Sequence, residues 1–342
     1  HYYFISCLAF LMIFLPAHRY FSFDAKFAHE RAAYTVPKWT IDCIKLLLAI
    51  VYLYAGLAKL NSDWLLNAML LKIWLPSKYH LPFLGDLLQQ EWMHYAFSWG
   101  GAAYDLAIPF LLFYRPTRLF AFVLVVIFHV LTRVLFPIGM FPFIMIVSAL
   151  IFFDPAVHHK ILSMVSRLIG ISKTAWDANI SKLKTVAVPQ TQKIVVGAFI
   201  VFQLMFPWRY LLYPGELFWT EEGFRFSWRV MLIEKAGYAQ FTVKNAKTGK
   251  QFTVNNADFL TTFQEKQMSF QPDFIIEYAH FLADHFKNQG HQNLEVYVES
   301  YVALNGRLSA PYIDPTVNLL SVDESMARTS ILLPFNDTIK GL

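Results

Sequence analysis

Apolar residues fill the first two thirds of the chain in long blocks, and polar residues gather in the short stretches between them. Crossing the ~30 Å hydrocarbon core of a bilayer takes about 20 apolar residues in a helix. On that measure the pattern predicts spans at residues 1–17, 40–60, 92–114, 119–136, 138–153 and 194–213. Arg115-Pro116-Thr117-Arg118, Pro137 and Asp154-Pro155 act as stops between them. The first block is short and begins in mid-pattern at His1 without an initiator Met, so upstream helices are expected beyond the sequence given. Residues 18–38 read as a loop. Residues 61–91 form an aromatic, amphipathic connection with Trp64, Trp74 and two prolines, suited in part to the membrane interface.

From Glu216 the period changes. Gln240-Phe241-Thr242-Val243 and Gln251-Phe252-Thr253-Val254 alternate around Lys247-Thr248-Gly249-Lys250, which predicts a β-hairpin. Phe274, Ile275, Tyr278, Phe281 and Leu282 recur at helical spacing, and Leu294 to Glu299 alternates as another strand. The predicted fold is an α-helical polytopic membrane bundle over residues 1–214, followed by a mixed, strand-rich extramembrane domain over 215–342.

Composition agrees. Of 342 residues 56% are hydrophobic and only 15% charged, against roughly one quarter charged in soluble domains. The net charge of +5 calls for no nucleic-acid partner, because a lipid bilayer already accounts for basic loops. Four Lys or Arg fall in residues 18–38, two in 115–118 and six in 154–193, against two, Lys72 and Lys78, in 61–91. The positive-inside rule then places Lys59 and everything after residue 214 on the outer side. Cys7 and Cys43 are the only cysteines and lie in apolar runs, which argues against a disulfide framework or a cysteine metal site.

Ionisable groups inside or beside a span are costly and become candidates for chemistry. Lys59 ends the second apolar run, where it could snorkel to the interface, pair with an acid, or serve as a base. Asp105 falls inside the third span beside small residues, where it could tie helices together or set the charge of a neighbouring base. His129 and Arg133 stand four apart on the fourth span and are expected to share an inward face suited to an anionic or quinone-like head group. His1 would lie level with Lys59 under the same topology. Phosphate loops, His-Glu-x-x-His and Gly-x-Ser-x-Gly are all absent from the sequence.

Several stretches form a pattern when taken together: His1-Tyr2-Tyr3, Ala55-Gly56-Leu57-Ala58-Lys59-Leu60-Asn61-Ser62-Asp63-Trp64, Trp99-Gly100-Gly101 with Asp105, and Phe128-His129 with Leu135 to Phe141. Beyond residue 214 they continue as Trp219-Thr220, Phe226-Ser227-Trp228, Asn305-x-Arg307 and Asp314-Pro315. In order and spacing they resemble the vitamin K-dependent γ-glutamyl carboxylase family, including bacterial relatives that share the horizontally transferred transmembrane (HTTM) domain. The resemblance implies that Lys59 is the base that deprotonates vitamin K hydroquinone or a related quinol. Oxygen then converts the quinol anion to a stronger base and finally to the epoxide, and carbon dioxide traps the glutamate carbanion as γ-carboxyglutamate. It implies a catalytic role for His1 in stabilising anions, and a glutamate-containing peptide or protein as substrate. His129, Arg133, Asp105, Lys72, Trp99 and Trp228 are the candidates for holding substrate or quinone. Ala58 departs from animal members, which resemble Lys-Lys at that point, and their long C-terminal extension is lacking. A bacterial inner-membrane protein with its C-terminal domain outside the cytoplasm is therefore expected. Two alternatives are a quinol epoxidase without carboxylation and a non-catalytic membrane scaffold or lipid-binding protein.

Overall fold

The computed structural model describes residues 2–19, 22, 35–168, 187–322 and 330–341. His1 and most of the basic stretches at 20–34 and 169–186 lie outside the described residues. Four helices are long and apolar enough to cross a membrane: Lys38–Leu57, Glu91–Phe113, Arg115–Leu135 and Gln190–Leu212. Tyr2–Phe14 and Phe141–Phe152 are shorter apolar helices. The full span expected over 138–153 is therefore corrected. Gly139, at φ +62°, turns the chain just before this helix, Pro142 sits in its first turn and Asp154-Pro155 follows it, leaving roughly 18 Å of helix.

By packing, the chain divides into two compact units. One comprises residues 1–57 and 100–207, the other 58–99 and 208–342. In the first unit, Gly56 lets the helix Lys38–Leu57 approach Glu91–Phe113, because a Cβ there would lie 2.8 Å from the Leu106 side chain. Tyr3 Oη donates to Gln203 Oε1 at 2.9 Å, and Tyr54 Oη donates to the Leu204 carbonyl, so polar contacts join Gln190–Met205 to two other helices. Cys7 and Cys43 are free and buried. At one end Arg115 donates to both carboxylate oxygens of Asp154 at 3.0 Å.

The second unit holds a four-stranded antiparallel sheet in the order β2-β1-β3-β4, with β1 Lys235–Asn245, β2 Gln251–Thr253, β3 Leu294–Leu304 and β4 Ala310–Pro311. The hairpin predicted at 240–254 forms, with Thr242 opposite Thr253 and Lys244 opposite Gln251. The longer pairing of β1 is with β3, running from Lys235 opposite Leu304 to Asn245 opposite Leu294. Alternate residues Ala239, Phe241 and Val243 on β1 and Val296, Val298 and Val302 on β3 are buried, as expected of a sheet with one covered face. The predicted helix, Pro272–Asn288, supplies Ile275, Ile276, Tyr278, Ala279 and Leu282 to that core, and the Tyr278 ring meets Phe241 edge-on at 5.0 Å.

Gly237 on β1 has no room for a side chain: a Cβ would lie 2.4 Å from the Ser269 carbonyl oxygen, in backbone that cannot step aside. Gly237→Ala is expected to lower the stability of the purified protein by about 1–3 kcal/mol, the usual cost of overpacking. A thermal midpoint indistinguishable from wild type would show that the strand shifts freely.

Candidate active site and its family

Lys59 follows the helix Lys38–Leu57 by two residues and is only 6% exposed. Its Nζ lies 5.3 Å from the centroid of the Trp64 ring, a distance at which an ammonium is attracted to the indole face. The segment around it is fixed from within. Asn61 Nδ2 donates to the Ala58 carbonyl at 2.8 Å, and Asn61 Oδ1 accepts the Trp64 N–H at 2.9 Å, capping a single π-helical turn over Ser62–Leu66. Trp64 Nε1 donates to the Ser98 carbonyl at 2.9 Å and Ser98 Oγ donates to the Trp64 carbonyl, so the indole cannot turn.

The C-terminal residues grip the same segment. Asp63 is fully buried. Its Oδ2 accepts from Arg307 Nη1 at 2.7 Å and Asn305 Nδ2 at 2.8 Å, and its Oδ1 accepts from Arg307 Nη2 at 2.8 Å. This is the bidentate geometry that makes an arginine–carboxylate pair strong. Arg307 Nε also donates to Asp337 at 2.7 Å, and the two carboxylates, Asp63 foremost, hold the guanidinium above its ordinary pKa. Asn305 reaches Asp63 from a turn in which it and Gly306 have φ of +51° and +82°, a conformation Asn tolerates better than most residues. Its Oδ1 accepts the Glu234 N–H at 2.9 Å. On the other side Ser62 N–H donates to the Lys340 carbonyl at 2.7 Å, and Lys340 N–H donates to Ser62 Oγ at 3.0 Å. Gly341 packs so closely that a Cβ would lie 2.2 Å from the Leu60 carbonyl oxygen.

A second group of residues lies near the start of this C-terminal region. Phe226, Trp228 and Met231 all have φ between +55° and +61°. Bulky residues seldom adopt that conformation, at a cost of about 1–3 kcal/mol each, and such strain clusters at functional sites. Trp228 is 7% exposed. Arg225 pairs with Asp273 at 2.6 Å, Arg209 Nη1 donates to Ser227 Oγ at 3.0 Å, and the Arg229 guanidinium lies 4.5 Å over the Tyr210 ring. Burial lowers the Arg229 pKa, and it lowers that of Lys235 against the pull of Glu221, 2.8 Å away. Lys235 also donates to the Trp219 carbonyl at 2.9 Å. The Trp219 ring meets Phe335 at 5.1 Å, and Phe335 lies 5.5 Å below the Arg307 guanidinium.

A model of the HTTM domain matches residues 1–156, and a model of the vitamin K-dependent gamma-carboxylase lumenal domain matches residues 188–338. The chain belongs to the vitamin K-dependent carboxylase family. No solved structure matches it. Of the carboxylase segments quoted from the sequence, the one around Lys59 from Ala58 onward packs in the same compact unit as Trp219-Thr220, Phe226-Ser227-Trp228, Asn305-x-Arg307 and Asp314-Pro315.

The remaining candidate residues of this carboxylase-family chain are distributed as follows. Lys72 in the second unit donates to Glu91 at 2.8 Å and Tyr95 Oη at 3.3 Å, and Glu91 raises its pKa, so it ties the short helix Met69–Trp74 to the start of Glu91–Phe113. Trp99 donates Nε1 to the Leu65 carbonyl at 2.8 Å and exposes 58% of its surface. In the first unit Asp105 and His129 are buried. His129 Nδ1 donates to the Val125 carbonyl at 2.9 Å, which makes Nε2 the acceptor nitrogen of the neutral ring. Around it stand Tyr52 at 6.1 Å, Tyr104 at 6.3 Å and Phe141 at 6.3 Å, with Tyr104 stacked on Phe128 at 3.9 Å.

Arg133 does not share this environment. The helix buries Ala121, Val125 and His129 at successive four-residue steps, but Arg133 is exposed. It lies two residues from the helix end, where a long cation reaches outward rather than enter an apolar core. His1 lies outside the described residues. Asp63, Asn305 and Arg307 were visible in the sequence only as parts of family segments without a role. Asp63 between Ser62 and Trp64, and Arg307 between Gly306 and Leu308, offered no signal of pairing, and only packing shows that they pair.

Arg307→Ala is expected to cost about 3–5 kcal/mol of stability, because it strands a buried carboxylate, whereas replacing both Asp63 and Arg307 with leucine costs less. Thermal unfolding of the purified single and double variants measures this. A loss under about 1 kcal/mol for Arg307→Ala would match a surface pair and contradict the burial.

Proposed function

We propose that the chain is a quinol-dependent carboxylase in which Lys59 is the base that takes the quinol proton, and peptide glutamate is the group carboxylated. The observation that carries the proposal is the amine itself: a lysine 6% exposed, set against an indole face, in a segment gripped from both sides by hydrogen bonds. A general base must be held at one place and shielded from water, and the low exposure of Lys59 and the fixed segment around it support that reading. When bound, the reduced vitamin K or related quinol supplies the redox chemistry with oxygen, and carbon dioxide supplies the new carboxyl group.

The rest of the chain has supporting parts. The aromatic group of Tyr52, Tyr104, Phe128 and Phe141 around His129 is suited to a flat apolar ring, with one imidazole nitrogen to accept its hydroxyl. Asp105, buried in the same unit, suits the setting of charge near such a ring. Trp228 and its strained neighbours, with Arg229 beside them, suit the carboxylate of an acidic peptide. The excess of Lys and Arg in alternate loops supports a non-cytoplasmic side for residues after 214. His1 is proposed to stabilise anions formed during the reaction. The Lys72–Glu91 pair and the Trp99–Leu65 hydrogen bond favour structural duties for Lys72 and Trp99, with the exposed Trp99 ring left available to an apolar ligand.

Purified protein given reduced vitamin K and oxygen is expected to form the epoxide, and Lys59→Ala to lose at least about 100-fold of that turnover, the contribution typical of a positioned base. Wild-type turnover in Lys59→Ala would overturn the base assignment. Incorporation of labelled carbon dioxide into a glutamate peptide separates the carboxylase from an epoxidase alone.

A further inference from the structure

Asp63 is four residues from Lys59, and its carboxylate is held by residues far away in sequence: Asn305 and Arg307 come from the turn after β3, and Asp337 joins through Arg307. We propose that Asp63, Asn305 and Arg307 are positioning residues for the reaction, a clamp through which the sheet of the second unit sets where the Lys59 amine stands. The inference rests on the assignment of Lys59 as the base.

Three features support it. The clamp is directional: a bidentate guanidinium fixes both the position and the plane of the Asp63 carboxylate, where a single ion pair would fix position alone. It also lies on a rigid element, since Asn305 directly follows β3, donates its own N–H to the Glu234 carbonyl at 2.8 Å and accepts the Glu234 N–H. Trp74 Nε1 donates to the same Glu234 at 2.8 Å, so a second point on residues 58–99 is tied to the same strand register. Finally, the link from clamp to base is short and stiff. Asp63 lies in the capped π turn, Trp64 follows it, and the Trp64 ring that faces Lys59 Nζ is locked to Ser98. A rotation of the Asp63 side of the turn would carry the indole and the amine with it.

Displacing a reacting group by about 1 Å can cost on the order of 100-fold in rate while leaving substrate binding intact. The test uses the full chain in lipid nanodiscs with three variants. Arg307→Lys keeps the charge and loses the fork. Asn305→Gly keeps the positive φ and loses the side-chain bonds. Ser62→Ala removes only the acceptor for Lys340 N–H. Circular dichroism and thermal midpoints establish which variants are folded, and Asn305→Gly and Ser62→Ala decide the matter if Arg307→Lys is not. Two readouts are followed: kcat and KM for reduced vitamin K across pH, and the rate at which an amine-reactive reagent modifies Lys59, measured by peptide mass spectrometry without quinol.

In folded Arg307→Lys and Asn305→Gly, kcat is expected to fall by roughly 10- to 100-fold with KM nearly unchanged. Its pH profile should move, the Lys59 modification rate should change, and Ser62→Ala should show the same effects more weakly. Folded variants that keep the wild-type pH profile and modification rate would overturn the clamp, as would a loss of kcat that merely tracks the unfolded fraction. Wild-type turnover in Lys59→Ala would instead overturn the base assignment, so the two failures are distinct.

Discussion

The buried ion pair between Asp63 and Arg307 is the constraint on which the arrangement around Lys59 depends. Placing a carboxylate at zero exposure is unfavourable unless donors replace the water it loses. Here Arg307 supplies two donors and Asn305 a third, and the need to bring them together joins a segment near residue 60 to a turn near residue 306. The Ser62–Lys340 and Gly341–Leu60 contacts then follow as a second seal on the same segment. The Lys59 segment is thus anchored to the turn that directly follows β3, the strand paired along its length with β1.

Cost is also stored at the loop from Glu221 to Met231. Its bulky residues at positive φ are tolerated because Arg225, Arg209 and Ser227 tie the backbone down and Trp228 is buried. In the membrane-type unit the surround of His129 is aromatic. His129 satisfies one nitrogen on its own helix, and the rings about it provide a flat apolar surround.

Much of the architecture was legible in the sequence. Apolar runs identified the long helices, since a bilayer demands length and composition that no other requirement mimics. Alternation identified β1, β2 and β3, and helical spacing identified Pro272–Asn288. Length was misjudged at 138–153, where apolar residues of a turn were counted with those of the helix. The shared face of His129 and Arg133 was overdrawn because a four-residue spacing sets direction along a helix but not how far from its end a long side chain can escape.

By itself the sequence determined that the chain is built to enter a membrane, that strands follow the helices, and that Lys59 is the cation needing explanation. Those properties are local or cumulative: each depends on composition and periodicity within a short window. Tertiary structure alone decided that residues 58–99 pack with 208–342, that Arg307 meets both Asp63 and Asp337, and that Lys59 faces Trp64. The physical reason is that a buried charge chooses its partner by three-dimensional geometry, and a sequence separation of 244 leaves no periodicity by which that choice could be read.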